Sequence, residues 1–211
     1  MNRRIRGNRH LDGRPEMEVP EMTATSQDDV VSLLLDQHEQ VKSLFSRLKA
    51  SAGTQKKELF EDLVRLLAVH ETAEEEVVHP TARRKLDHGE EVVDGRLHEE
   101  EAAKRALAEL YDLGVDHPDF DGKLAAFEEA VVRHATREEN EEFVRLREML
   151  SPDQLRRMAG AVRAAEATAP TRPHPQGPES AVGNLLVGPP VAIFDRIRDG
   201  VRDWRKSHKD E

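Results

Sequence analysis

The chain has 211 residues, of which 37% are hydrophobic, 35% charged and 4% aromatic, with a formal net charge of -10. The apolar share is below the globular average and the charged share above it, which fits one domain with solvated appendages. With no Cys, the chain excludes disulfides, thiolate metal sites, Fe–S clusters and Cys nucleophiles. Its negative charge argues against nucleic-acid binding. No apolar run reaches the ~18 residues of a membrane-spanning helix, and the N-terminus lacks the apolar core of a secretory signal. A cytoplasmic location is the expectation.

Residues 1–25 read as a disordered arm, with Gly7, Gly13, Pro15 and Pro20 set among charges, and Met22 is an alternative start. Ser26 followed by Asp29 resembles a capping box. Val30, Leu34, Val41, Phe45 and Leu48 then predict a first amphipathic helix ending near Gly53. Phe60, Leu63, Leu67 and Val77 predict a second, starting near Thr54, which Pro80 ends or kinks before Gly89 closes a turn. A third is expected from Glu90 to Leu113, with Ala102, Ala103 and Ala106 on its inner face. A fourth should run from near Asp119 to about Leu150 on a stripe of Leu124, Phe127 and Val131. Ser151 and Pro152 look like the N-cap and first residue of a shorter fifth helix reaching about Ala167.

Nothing alternates like a strand. The expected fold is therefore all-α: an antiparallel up-down-up-down four-helix bundle over residues 26–167, with the fifth helix appended. Residues 168–190 read as a Pro/Gly-rich linker. Residues 191–211 read as a C-terminal amphipathic helix, with Phe194, Ile197, Val201 and Trp204 on one face. The mixed charges between them favour docking on a protein partner or a second copy over an anionic membrane.

Several polar residues fall on apolar faces. On the first helix the inward series is Leu34, His38, Val41, Phe45; on the second it is Leu63, Leu67, His70, Glu74, Val77. On the fourth it is Leu124, Phe127, Val131, His134, Glu138. On the third, His98 shares a face with Ala102 and Ala106, whose small side chains leave room for an imidazole. A single His-x-x-x-Glu pair is an ordinary surface ion pair. Two of them on apolar stripes, with an inward His from each remaining helix, need another reason, because an unpartnered buried carboxylate is costly. A pair of divalent cations supplies it: imidazole and carboxylate suit iron, manganese and zinc, and i,i+4 residues lie ~6 Å apart on one face. His79 lies nine residues after His70, half a turn out of phase, and is set aside as a ligand. His88 and His117 fall in turns, and His10, His174 and His208 in tails. The Glu99-Glu100-Glu101 and Glu141-Glu142 runs read as solvated faces.

The order His38, His70-ETA-Glu74, His98, His134-ATR-Glu138 resembles the hemerythrin-like, HHE cation-binding family over about residues 28–150. HETAEEEVVHP looks like that family's second-helix signature, in which an aromatic often stands where His79 stands. The resemblance implies two iron ions in a non-haem di-iron centre, which an oxo or hydroxo group can bridge. It also implies that Glu74 and Glu138 bridge the irons and that His38, His70, His98 and His134 are terminal ligands. Two departures stand out against the oxygen-carrying hemerythrins. Their third helix has His-x-x-x-His where His98 is here followed by Ala102, and their last helix spaces His and Asp five apart. Some iron-sensing relatives carry a Glu directly after the second-helix His, a position Glu71 fits.

The leading functional expectation is a di-iron protein that binds or reduces dioxygen, peroxide or nitric oxide. Peroxide decomposition would make it an enzyme, simple binding a carrier or scavenger. Two other readings are an iron or oxygen sensor acting through residues 191–206, and a metal-free interaction module.

Overall fold

The computed structural model describes residues 29–168, together with Asp199 and Lys206. The N-terminal arm, the linker and all but those two residues of the C-terminal segment lie outside the described residues.

Within them the protein is all-helical: α1 (Val30–Lys49), α2 (Gly53–Ala73), a π-helical turn π1 (Glu74–Val78), α3 (His79–Lys85), α4 (Gly89–Leu113), α5 (Phe120–Arg137), a second π turn π2 (Glu138–Phe143), α6 (Val144–Met149) and α7 (Pro152–Thr168). The two π turns are not breaks. α2, π1 and α3 run on without interruption, as do α5, π2 and α6, so each forms one long rod. The second helix therefore continues past Pro80. Pro80 sits in the first turn of α3, where the π turn has already shifted the i→i−4 ladder and a missing N–H is tolerated.

The helix ends follow local chemistry. Asp29, not Ser26, is the N-cap of α1: its Oδ1 accepts the Ser32 amide at 2.7 Å. At α7 the capping box closes in both directions. Ser151 Oγ accepts the Gln154 amide at 3.3 Å, and Gln154 Oε1 accepts the Ser151 amide at 2.9 Å. Between α3 and α4, His88 takes the left-handed conformation with φ 57°. Gly89 follows, where a Cβ would stand 2.5 Å from the Ala82 carbonyl oxygen. Only glycine permits that approach.

α1 packs on α2 and α7, α3 on α4, and α4 on α5. The buried positions of α1 include Val30, Leu34, His38, Val41, Phe45 and Leu48, the three-four spacing expected of an inward stripe. Phe45, Leu63, Leu107, Leu124 and Phe143 are among the fully buried side chains; each such side chain contributes ~2–3 kcal/mol of hydrophobic stabilisation. Phe45 meets Phe127 edge-on at 5.8 Å, and Phe60 meets Phe120 at 5.2 Å. These clusters occupy one part of the core, and a polar cluster occupies the other. No helix among the described residues is long and apolar enough to cross a membrane.

Candidate metal centre

The polar cluster is built where the two π turns face each other. π1 begins at Glu74 and π2 at Glu138, and both carboxylates are fully buried. Single-turn π bulges are rare and concentrate at functional sites.

Two overlapping donor groups form around this pair. His38, His70, Glu74 and Glu138 converge with ligand atoms within 4.8 Å of one another, and so do Glu74, His79, Glu100 and Glu138. Glu74 and Glu138 belong to both groups. Each group is entirely buried.

In the first group the two imidazoles are oriented from behind. His70 Nδ1 bonds to Gln37 Oε1 at 2.9 Å, and His38 Nδ1 bonds to Glu139 Oε1 at 2.9 Å. A ring nitrogen donating outward leaves the other free for coordination. The two Nε2 atoms face each other at 3.0 Å, with Glu138 Oε2 3.4 Å from His38 Nε2 and Glu74 Oε2 3.3 Å from His70 Nε2. Phe143 stacks on the His38 ring and excludes water from that side. In the second group, His79 Nε2 lies 2.6 Å from Glu100 Oε1, and its Nδ1 lies 3.2 Å from Glu142 Oε1. Glu100 and Glu142 are both buried.

The electrostatics show how poorly the cluster is satisfied by protein alone. Both oxygens of Glu74 and of Glu138, together with Oε2 of Glu71, Glu100 and Glu142, are buried without a hydrogen-bond partner. Burial, with Glu138, Glu100 and Glu142 nearby, pushes the Glu74 carboxyl well above its ordinary range. Burial also acts to raise Glu138, but His134 and His38 reverse this and hold it below its ordinary range. Burial and the neighbouring His38 push His70 well below its ordinary value. For His79, burial acts to lower the imidazole, but the hydrogen bonds it donates to Glu100 and Glu142 raise it to about 10. Glu71 is raised to about 8, by burial first and then by Glu100. Carboxylates this deep, with so many unused lone pairs, fit divalent cations: the donors are imidazole nitrogen and carboxylate oxygen, as iron, manganese and zinc accept.

Of the residues singled out from the sequence, His38, His70, Glu74 and Glu138 come together. His134 stands beside them: its Nε2 is 3.1 Å from Glu138 Oε1 and its Nδ1 is 3.0 Å from Glu99 Oε2, outside both four-residue groups. The structure does not bring His98 in. It is exposed, as is Ala102, and the buried face of α4 is Val93, Arg96, Glu100, Leu107 and Leu110. Ala103 and Ala106 do pack against the core, but His98 and Ala102 are each two residues out of phase with the buried Arg96 and Glu100. Two residues not singled out as ligands do belong, His79 and Glu100, and Glu142 stands beside them on His79. His79 enters because π1 takes up one extra residue, which cuts the half-turn offset from His70 by roughly half. Nothing in the EEEVVHP run marks that extra residue in advance.

A family model for the hemerythrin HHE cation binding domain matches residues 29–146, more than half of the chain. The chain belongs to the hemerythrin HHE cation-binding family. Among curated proteins, a DNA nickase of Nostoc sp. is 30% identical over 133 residues, which are 62% of this chain and 37% of the nickase. The chain thus spans little more than a third of that relative's length. Among solved structures, an HHE cation binding domain-containing protein from Mycobacterium kansasii superposes with a TM-score of 0.58 at 16% identity, over 64% of this chain and 83% of that one. At that identity the likeness concerns the fold.

Proposed function

We propose that the buried cluster of this HHE bundle, read as an up-down-up-down antiparallel arrangement, holds two iron ions, and that the protein binds or reduces a small oxygen or nitrogen species such as dioxygen, peroxide or nitric oxide. The observation that carries this reading is the pair of donor groups sharing Glu74 and Glu138. His38 and His70 would serve one ion and His79 with Glu100 the other, with Glu142 and His134 at the edges. When bound, two ferrous ions would supply the electrons for reduction.

The chain's own residues do the rest. Gln37 and Glu139 fix the imidazole orientations. Phe143 and the surrounding apolar core keep bulk water out. Glu71, which follows His70, lines the adjoining cavity and, with its carboxyl raised to about 8, holds a proton at neutral pH beside the inner histidines. It is the group best placed to act as an acid. Elemental analysis should find two irons per chain. An optical band appearing on air exposure and changing separately with peroxide, azide and nitric oxide would sort the chemistries. Protein purified with iron in the medium yet carrying less than one ion per chain would overturn the reading.

A sensor reading has one specific support. Gln37, which orients His70, also donates from Nε2 to Glu166 Oε1 at 2.8 Å. Glu166 lies near the end of α7, the last described helix before the Pro/Gly-rich segment. Metal-dependent movement of His70 would thus be felt at α7. Limited proteolysis with and without iron tests it: a sensor changes its cleavage at residues 170–190, and a scavenger does not. A DNA-directed activity, as the nickase name suggests for that relative, is disfavoured by the net charge of -10.

A further inference from the structure

A cavity of about 380 Å³ opens beside the metal centre, bounded by α1, α2, α4 and α5. Its inner end is formed by His38, His70, Glu71 and His134. Leu67, Leu110, Phe127 and Val131 form buried apolar walls. Towards the surface the space exists because both flanking helices present alanine: Ala102, Ala103 and Ala106 from α4, Ala126 and Ala130 from α5. Ala102 and Ala126 are exposed and mark its outer end.

Magnitude decides what such a space is for. A water-sized molecule claims about 30 Å³, and an apolar cavity of about 150 Å³ holds benzene. The volume here is roughly ten times the first and more than twice the second. A diatomic or a peroxide would leave it mostly empty, and bulk water is a poor filling for walls so largely apolar. Small-molecule sites begin at about 300 Å³ and combine apolar lining with a few convergent polar groups. One such group is in place independently of the alanines. Glu71 is only 6% exposed, and its Oε2 accepts no hydrogen bond, standing instead in an ion pair with the Lys104 ammonium at 3.6 Å.

We propose that this cavity binds a compact apolar organic molecule of about ten to fifteen heavy atoms carrying one hydroxyl or carbonyl group, seated with that polar end towards Glu71 and the inner histidines. Its role as substrate rests on the metal reading above, whereas binding itself does not. The molecule's apolar body replaces water along Leu67, Phe127 and Val131, and its polar end meets the Glu71 carboxyl at the oxygen that no hydrogen bond uses. The ligand is thereby held against the side of the centre that His38 and His70 form.

1-Indanone and 2-naphthol serve as probes, titrated by calorimetry into the full chain, both iron-loaded and stripped, with metal content measured on the same samples. One site per chain is expected, with methyl shifts confined to Leu67, Leu110 and Val131. Ala106→Leu and Ala130→Leu, each filling the space from a different helix, should weaken binding at least tenfold while melting within a few degrees of the parent. 2-Naphthol should also shift the optical spectrum of the loaded protein. Absence of binding, or binding that neither alanine variant weakens, overturns the proposal. Binding by a chain that never takes up metal supports the cavity and defeats the di-iron reading. Metal uptake without binding does the reverse.

Discussion

The amide of His79 bonds to the carbonyl of Glu74, five residues back, and that single π-type bond carries the His79 imidazole into the same buried cluster as the Glu74 carboxylate. In an uninterrupted α-helix the two would diverge. Ligand assignment is testable on this point. His79→Ala should reduce bound metal from two ions to one per chain, while His98→Ala, at an exposed position, should leave it at two. Mass spectrometry of the metals after desalting reads both. Loss of metal in the His98 variant would return the third-helix ligand to the position read from the sequence.

Glu74 gives a test in which function and stability move in opposite directions. Neither of its oxygens has a hydrogen-bond partner, and burial disfavours its charge. Replacing it by a neutral chain of similar length, Glu74→Met, should stabilise the stripped protein by about 1–3 kcal/mol. The same change should drop metal content below one ion per chain, because that carboxylate is shared. Paired denaturant melts and metal assays check it; a purely structural Glu74 would show destabilisation instead.

The stripped protein should lose stability between pH 7 and pH 9. His79 and His134 have folded-state values of about 10 and about 9 against an ordinary 6.5, and Glu71 about 8 against 4.5. A raised folded-state value means the folded form holds protons the unfolded form has released, so stability falls as pH rises through that window. His70, held low, shifts stability the other way only below neutrality. A drop in Tm of roughly 5–10 °C from pH 7 to pH 9 is expected. Metal affinity should rise over the same range, because coordination needs those groups deprotonated. Calorimetric scans at constant ionic strength, with and without iron, separate the two trends.

Removing the metal should itself be costly. Two sites each filled at a thousand times their dissociation constant contribute about 4 kcal/mol apiece. For a chain of this size that is a rise in Tm on the order of 15–25 °C on loading. Identical melting in chelator and in iron would mean the cluster binds no ion in the folded state.

Much of this arrangement was legible in the sequence, and the rest was hidden for identifiable reasons. The stripe Leu34, His38, Val41, Phe45 and the series Leu67, His70, Glu74 have high contrast and constant phase, and both were read correctly. The Ser151–Pro152 helix start was equally plain, since cap chemistry is local. α4 was misread because its inward face includes Arg96 and Glu100, which look like surface residues, while its alanines give no contrast between faces. His79 was misread because the arithmetic of 3.6 residues per turn fails across a π turn, and nothing in EEEVV announces one. Glu142 was lost in an acidic run that solvated faces also produce. Asp29, which caps α1, lies three residues beyond the expected Ser26.

The bend at Gly89 has a reach beyond its own few atoms. His79 lies ten residues before it and Glu100 eleven after, each about 15 Å along its helix. The two side chains nonetheless meet at 2.6 Å, so the bend acts as the hinge-pin that sets their alignment. A methyl group at that corner, pressed against the Ala82 carbonyl oxygen, would tilt one arm against the other and part the partners at the far end. Such a chain would keep every coordinating side chain and still behave at the bench like an iron-deficient one, a lesion no inspection of the ligands would reveal.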